Sequence, residues 1–594
     1  MLDAVRADRV SAYGYGRETM PALDALAAEG VVARNHFALA AETRASLPQL
    51  LYSRYFTPPI FPDSYNVPLE EPWNLFQQVD REAVSLPRAL AAAGFRTAAL
   101  SAHAWLRPDT PFAAEFDELR RLGDESPIDN FYGYPTAAQV TDAAITWLDG
   151  HRGDDVFLYL HYMDTHFPHP WGPEARAFGG DIDVERAQEA FTPQGRVRDP
   201  GRPLADEERR YLDALYDGGL RHADREVGRL VRYLRRRGWL EDTLIVVTSD
   251  HGEHLAEVPG RFEHGGVWYD ALARVPWIVH YPRRLAPTVH HGLTSSIDVM
   301  PTMLSLLDVA LPEGARVDGR DLAAVLGGEE TDGGQAGDAV YAPHGVRTTQ
   351  FHLVLPEEGD SRPAALLAAD ALPGPARTDA QLFDVGADPL ETRDLRAARP
   401  ETARQLLASW YETLRQPFLR HARSRRDTPP EGPFAIAVRH LAVEPTAAVA
   451  DTNQPPPPGD ARWHRNTGWN TYWLAAAPRA PAVTISVELP SGPYELRAAV
   501  AGTCRLTVAD GPATELAGPA VGALLNRRAD PIPKTEVRLY GPARVEDQRF
   551  QAILEAPGPG APCLVRYLGF TPTGTADKSG ESTDDRLRAL GYVD

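Results

Sequence analysis

Lysine is almost missing from this 594-residue chain, occurring only at Lys534 and Lys578. Any anion bound ahead of Lys534 must therefore be met by arginine and histidine. Cysteine is as scarce: Cys504 and Cys563 are the whole complement. They could pair, but two thiols do not fix a redox compartment. No apolar run approaches the ~20 residues of a membrane-spanning helix, although 43% of the residues are hydrophobic and a core is well supplied. Excess positive charge is absent too. A formal net charge of −21 carries no nucleic-acid footprint. No fixed-period repeat occurs, which excludes a solenoid. The first residues, Met1-Leu-Asp-Ala-Val-Arg-Ala-Asp8, lack a signal-peptide pattern and open on what reads as a strand end. An upstream strand and any targeting segment are expected to be missing, so localisation and membrane association stay open.

What the chain does have is an alternation of helix and strand patterns. Thr243-Leu-Ile-Val-Val-Thr248 runs without polar alternation, as in a strand buried on both faces, and breaks into Ser249-Asp250-His251-Gly252. Upstream, Thr19 to Gly30 reads as a helix with a capping Thr, early Pro21 and terminal Gly30. A loop at 41–48 leads into a helix starting near Pro48. Helix–strand pairs follow at 86–101 and 137–161, then a polar, Gly/Pro-rich surface excursion at 172–205 and a long amphipathic helix at 207–237. The pattern predicts an α/β sandwich with a mostly parallel central sheet. After a linker at 427–432 the runs become short and alternating, which predicts an all-β sandwich. The expected organisation is a catalytic domain over 1–425, a β-sandwich over 433–572, and a linker with a short helix over 573–594. In that helix Leu587, Leu590 and Tyr592 would form a docking face.

Four strand ends or loops carry oxygen and nitrogen donors: Asp3; Thr43; His161, Asp164 and His166; and Asp250 and His251, with His264 beyond. Asp3, Asp250 and His251 could bind one divalent cation, with Thr43 completing the sphere. A cation acidifies a bound hydroxyl, making Thr43 a usable nucleophile. His166 and His264 would hydrogen-bond an anionic substrate and protonate a leaving group. Each residue also has a plainer use: Thr43 as a loop hydroxyl, His161 as core, Asp164 and Asp8 as turn caps.

These segments, in this order, resemble the sulfatase family of the alkaline phosphatase superfamily over about residues 1–415. The carriers are Asp3 to Tyr15 with Thr19-Met-Pro-Ala-Leu-Asp24, His161-Tyr-Met-Asp-Thr-His-Phe-Pro168, Thr248-Ser-Asp-His-Gly-Glu253, Glu263-His-Gly-Gly-Val-Trp-Tyr-Asp270 with Arg274-Val-Pro276, and Leu382-Phe-Asp384 with Asp388-Pro-Leu-Glu391. The resemblance implies an alkaline-phosphatase-like fold, with catalytic Thr43, His166 and His264, substrate contacts from Arg44 and His161, and metal ligands Asp3, Thr43, Asp250 and His251. This chain departs from the family where most members carry a Cys or Ser that becomes formylglycine. Its loop, Thr43-Arg-Ala-Ser-Leu-Pro48, is instead similar to that of phosphoethanolamine transferases, with an unmodified Thr nucleophile. Ala4 stands where a second acidic ligand is usual, and a set with one imidazole suits zinc or manganese better than calcium. The expected function is a metal-dependent hydrolase cleaving a sulfate or phosphate ester through Thr43. Its partner would be a sulfated or phosphorylated small molecule, glycan or lipid headgroup, and not a nucleic acid. A phosphoryl-alcohol transferase and a non-catalytic anionic-glycan-binding protein are the alternatives.

Overall fold

The computed structural model describes residues 1–55, 84–103, 106, 111–122, 137–169, 172–192, 195–328, 339–355 and 380–415, and, in the C-terminal part, 434–437, 442–445, 449–451, 463–466, 473–476, 480–488, 492–508, 511–517, 536–545, 549–556 and 563–572. Those up to 415 form one compact unit and those from 434 another. The linker at 427–432, the docking face of Leu587, Leu590 and Tyr592, and the Arg44 side chain all lie outside the described residues.

In the first unit the helices that frame the site are α1 (Pro21–Ala28), α2 (Thr43–Tyr52), α3 (Leu86–Ala92), α4 (Ala137–Gly150), α5 (Pro173–Gly179), α6 (Val184–Gln188), α7 (Asp206–Arg237) and α8 (Asp270–Ala273). The strands that place the site are β1 (Val31–Phe37), β2 (Arg96–Ser101), β3 (Glu118–Arg121), β4 (Val156–His161), β5 (Ile245–Thr248), the hairpin β6 (His254–Leu255) and β7 (Phe262–Glu263), β8 (Trp277–His280) and β9 (Thr288–Ser295). One set runs β3-β2-β4, all parallel. The other runs β5-β8-β1-β9, in which β8 is antiparallel to both neighbours and β1 is parallel to β9. The sheet is therefore mixed.

The two sets meet at the N-terminal residues. Leu2 bridges in parallel to Tyr162, just past β4, and to Ser249, just past β5. Its N–H bonds Thr248 O at 3.0 Å, and that of Asp3 bonds Tyr162 O at 2.9 Å. Alternate strand residues then enter opposite cores, as the two-residue period requires. Val32, Val247 and Ile278 pack with Leu23 and Leu26 of α1 and Leu212, Leu215 and Leu220 of α7. Val31, Ala33, Trp277 and Val279 pack instead with Leu47 and Leu51 of α2 and Leu90 of α3.

The 32-residue α7 is marked at both ends by charge and cap. Asp206, Glu207 and Glu208 fill its first turn, Arg235, Arg236 and Arg237 its last, each complementing the helix dipole. The Glu208 carboxylate accepts the Ala205 N–H at 2.8 Å, and Gly238 ends the helix with φ +73°.

Three expectations need correcting here. The stretch at 172–205 is not a surface excursion: it forms α5 and α6, and Ala175, Ala187, Phe191 and Val197 join the α7 core. Thr19 does not cap α1, because its hydroxyl donates to Arg9 O at 2.8 Å. The N–H groups of Ala22 and Leu23 are taken instead by the Asp224 carboxylate of α7, at 2.9 and 2.8 Å. Finally, α2 begins at Thr43, with Pro48 inside it.

An ion-pair network sits beside the N-terminal seam. Glu257 Oε1 accepts from Arg6 Nη1 at 2.6 Å and from Arg9 Nη2 at 2.9 Å. Burial alone would raise the Glu257 pKa, but the two guanidiniums hold it well below the usual carboxylate range. A depressed folded-state pKa means the stabilisation is complete above the unfolded carboxylate value of about 4.3 and is lost as pH falls below it. Glu257→Gln leaves two largely buried cations short of charge and is expected to cost about 3 kcal/mol at neutral pH. Denaturant unfolding at pH 7 and pH 3.5 checks this, the difference between variant and wild type shrinking at the lower pH.

This unit also holds the helices Val299–Leu306 and Ala323–Leu326 and an antiparallel sheet, β10 (Ala339–Ala342), β11 (Gly345–Thr348), β12 (Phe351–Val354) and β13 (Gln381–Asp384), in that order. That sheet packs with Ala403 and Trp410 of the helix Pro400–Trp410.

The second unit is all-β. The 17-residue strand Gly492–Val508 pairs antiparallel with Thr514–Ala517, Glu536–Val545, Arg549–Glu555 and Cys563–Pro572, joining one eleven-stranded network. Trp463, Leu474, Ile485, Leu496, Phe550 and Phe570 fill its core. Cys504 and Cys563, 59 residues apart, are disulfide-bonded within it. Chain entropy for a loop of that size corresponds to about 4 kcal/mol. Replacing both cysteines by alanine should lower the calorimetric transition of this unit and leave that of the first unit in place.

Candidate active site

Parallel neighbours end at the same edge of a sheet, and that edge is where ligands meet open α/β sheets. Here the adjoining ends of the N-terminal stub, β4 and β5 deliver Asp3, His161 and Asp250. Asp250 Oδ1 accepts the N–H groups of Ala4 at 3.3 Å and His251 at 3.1 Å. Asp3 Oδ2 accepts from His161 Nε2 at 2.8 Å. The other oxygens, Asp3 Oδ1 and Asp250 Oδ2, are buried and have no hydrogen-bond partner among the described residues. His251 Nδ1 donates to Gly252 O at 2.8 Å, so in the neutral imidazole a cation would meet, Nε2 carries the lone pair. That nitrogen lies 3.7 Å from Asp3 Oδ1, 3.6 Å from Asp250 Oδ2 and 3.2 Å from Thr43 Oγ1.

Two unsatisfied buried carboxylate oxygens beside a lone pair are untenable without a positive charge among them. Separations of this size are those of ligands sharing one cation at about 2.1 Å. The four residues expected as metal ligands are thus brought together, and the donor set fits a divalent cation. Burial would lower the His251 pKa, but the carboxylates of Asp250 and Asp3 outweigh it and raise it.

Local backbone explains the placement. Ala4 follows Asp3 with φ +57°, a left-handed conformation that a non-glycine residue adopts at some cost. Tyr216 of α7 holds it there, donating to Ala4 O at 2.7 Å while accepting the Arg6 N–H at 3.0 Å. The loop after β5 packs on α8: a Cβ at Gly252 would stand 2.1 Å from Ala271 O, so only glycine allows the approach.

Thr43 occupies the first turn of α2, buried. A second hydroxyl of the same segment, Ser46 Oγ, is turned back and donates to Glu42 O at 2.9 Å. His166 donates Nδ1–H to Phe167 O, and its ring meets that of His264 edge-on at 4.6 Å. His264 stacks on His251 at 4.5 Å. Burial pushes His264 down to about 3 and lowers His166 as well.

Two expected residues stand elsewhere. His161 does not face a substrate: Nε2 is taken by Asp3, and Nδ1 meets the Tyr159 hydroxyl at 2.7 Å. It orients a carboxylate, as partners behind metal ligands do. Asp164 points to α7, with Oδ1 3.4 Å from His222 Nε2. Two residues of the site went unmarked. His103, buried just past β2, brings Nε2 to 3.8 Å from Asp3 Oδ2; its place past a parallel strand end was the available signal. Glu253 accepts from His264 Nδ1 at 3.1 Å and from the Phe167 N–H at 3.3 Å, and burial raises its pKa to about 7.

Among the described residues a second trio, Asp270, His352 and Glu391, has its ligand atoms equally close. It is already neutralised. Arg347 grips both Asp270 oxygens at 2.9 and 3.0 Å, and Glu391 holds His352 Nδ1 at 2.5 Å and the Asp270 N–H at 2.6 Å. It is an ion-paired clamp rather than a cation cage.

A family model of sulfatases matches residues 1–309, more than half of the chain. The chain belongs to the sulfatase family. The chain is 30% identical over 213 residues to the multifunctional alkaline phosphatase superfamily protein PehA of Trinickia caryophylli, covering 31% of this chain and 40% of that protein. It is 29% identical over 259 residues to the steryl-sulfatase of Mus musculus, covering 42% and 34%. It is 32% identical over 186 residues to the choline-sulfatase of Rhizobium meliloti, covering 30% and 32%. The chain thus spans less than half the length of each of these curated relatives. The phosphonate monoester hydrolase of Agrobacterium radiobacter shares the fold, with a TM-score of 0.50 at 20% identity over 71% of this chain and 95% of that one. Both cysteines of the chain lie in the disulfide of the second unit, so neither is available for conversion to formylglycine.

Proposed function

We propose that this sulfatase hydrolyses a sulfate or phosphate ester, with a sulfated small molecule or glycan as its substrate class and Thr43 Oγ1 as nucleophile. The observation that carries this is the hydroxyl of Thr43 standing 3.2 Å from His251 Nε2, beside the two unpartnered oxygens of Asp3 and Asp250. Asp3, Asp250 and His251 would hold the divalent cation with Thr43 completing the set, and one imidazole among oxygens favours zinc or manganese. When bound, that cation would supply the positive charge that acidifies a neighbouring hydroxyl. Thr43, its proton lost to solvent, attacks the sulfur or phosphorus. The ester bond to the alcohol breaks and a covalent sulfo- or phospho-threonine remains for water to cleave. Binding of the anionic ester beside His264 draws a proton onto its Nε2, which hydrogen-bonds the bridging ester oxygen and then hands that proton to the departing alcohol, with His166 beside it. Names among the relatives, choline-sulfatase and steryl-sulfatase, support the sulfated class.

The test is a panel of aryl sulfate, phosphate monoester and phosphodiester substrates, assayed with zinc or manganese. Turnover of the sulfate ester that vanishes on chelation is the expected result. No turnover of any of the three by metal-loaded protein would overturn the reading.

A further inference from the structure

We propose that Glu253 is a positioning residue that sets the two substrate-facing histidines relative to each other; this rests on the role given to His264 above. Three separate segments carry the chemistry: the loop after β4 with His166, the loop after β5 with His251, and the turn after β7 with His264. Glu253 belongs to the second and reaches both others. Oε1 accepts from His264 Nδ1 at 3.1 Å, and Oε2 accepts the N–H of Phe167, the residue after His166, at 3.3 Å. One carboxylate thus spans the two histidine segments, whose rings stand 4.6 Å apart.

Packing alone does not account for it. The side chain is 1% exposed, and among the described residues its carboxylate meets no arginine. A carboxylate withdrawn from water with only an imidazole and one N–H for partners is costly, and an apolar residue would fill the space more cheaply. What the carboxylate adds is direction. Holding Nδ1 leaves His264 Nε2 as the ring atom turned away from Glu253, and it fixes the ring plane that stacks on His251. The first residue past His166 is fixed by the same group, so neither histidine segment can shift without the other.

The test uses metal-loaded full-length protein, Glu253→Ala, His264→Ala and the double variant. Aryl sulfates of graded leaving-group acidity are compared. Glu253→Ala should keep its metal stoichiometry and KM, and lose on the order of 100-fold in kcat, the size of one proton-transfer contribution. The loss should grow as the leaving group becomes less acidic, and it should disappear in the His264→Ala background. An equal loss for every leaving group, or one that persists without His264, would overturn the proposal. A second readout needs no turnover. With histidine labelled by nitrogen-15, the His264 Nδ1–H should give a protected, low-field proton signal that Glu253→Ala removes, with shifts confined to His264 and its neighbours His166 and His251. An unchanged signal would overturn the proposal too. Absence of sulfate-ester turnover with this signal behaving as expected would instead count against the function proposed above.

Discussion

Thr43→Ala is expected to abolish turnover, lowering kcat by roughly three to six orders of magnitude, the range seen when a nucleophile acting within a unit is deleted. Stability should fall by only about 1 kcal/mol, the typical effect of one substitution, because among the described residues the buried hydroxyl is hydrogen-bonded to His251 alone. Thr43→Ser keeps an oxygen at that place and should retain part of the rate. Ser46→Ala gives the contrasting outcome. Its hydroxyl is bound to Glu42 O one turn back, so activity should persist with a slightly altered melting temperature. Steady-state kinetics on the three purified variants decides. Normal turnover in Thr43→Ala with a dead Ser46→Ala would move the nucleophile to Ser46.

Asp250→Ala should strip the cation. It removes the carboxylate whose Oδ2 has no partner and which stands 3.6 Å from His251 Nε2. Deleting partners behind a ligand already costs about 10–100-fold in metal affinity, so losing a charged ligand should cost more. The readout is independent of catalysis. Metal at 100 times its Kd stabilises the folded state by about 2.7 kcal/mol, and this zinc- or manganese-dependent rise in Tm should be absent from the variant. Without metal the order should reverse: Asp250→Ala separates Asp3 from a second buried carboxylate, so the metal-free variant should melt at or above metal-free wild type. The stabilisation by metal in wild type should weaken as pH falls, because carboxylates and imidazole bind cations only when deprotonated. Equal metal stoichiometry in variant and wild type by elemental analysis would refute the assignment.

The strand ending in Asp250 and His251 was legible because an unbroken β-favouring run followed by a glycine turn has few other uses. Asp3 and Thr43 were legible only through the order of short motifs, since a three-residue stub and a loop hydroxyl have no periodicity. What could not be read was direction. His161 ends a strand, and whether its ring turns to a substrate or to Asp3 depends on the N-terminal stub hydrogen-bonded beside it. The start of α2 is not legible because Pro48 reads as a first-turn residue, whereas the helix begins five residues earlier and holds Pro48 inside it. The cap of α1 comes from Asp224, about two hundred residues away, where no local signature reaches. The stretch at 172–205 looked like a surface loop by composition, yet the small residues α5 needs to approach Gly218 of α7 are part of that composition.

The seam formed by Leu2 and Asp3 has a consequence for how the protein comes to life. The bonds that build the site close between residues 158, 208 and 246 positions apart in the chain. Loop closure over such spans is entropically costly and is not rewarded until the partners have met. The helices, made of near neighbours, have no such delay. During refolding, helical signal should return first and esterase activity last, so recovered activity counts only those molecules in which the N-terminal stub has met the strands ending at His161 and Thr248.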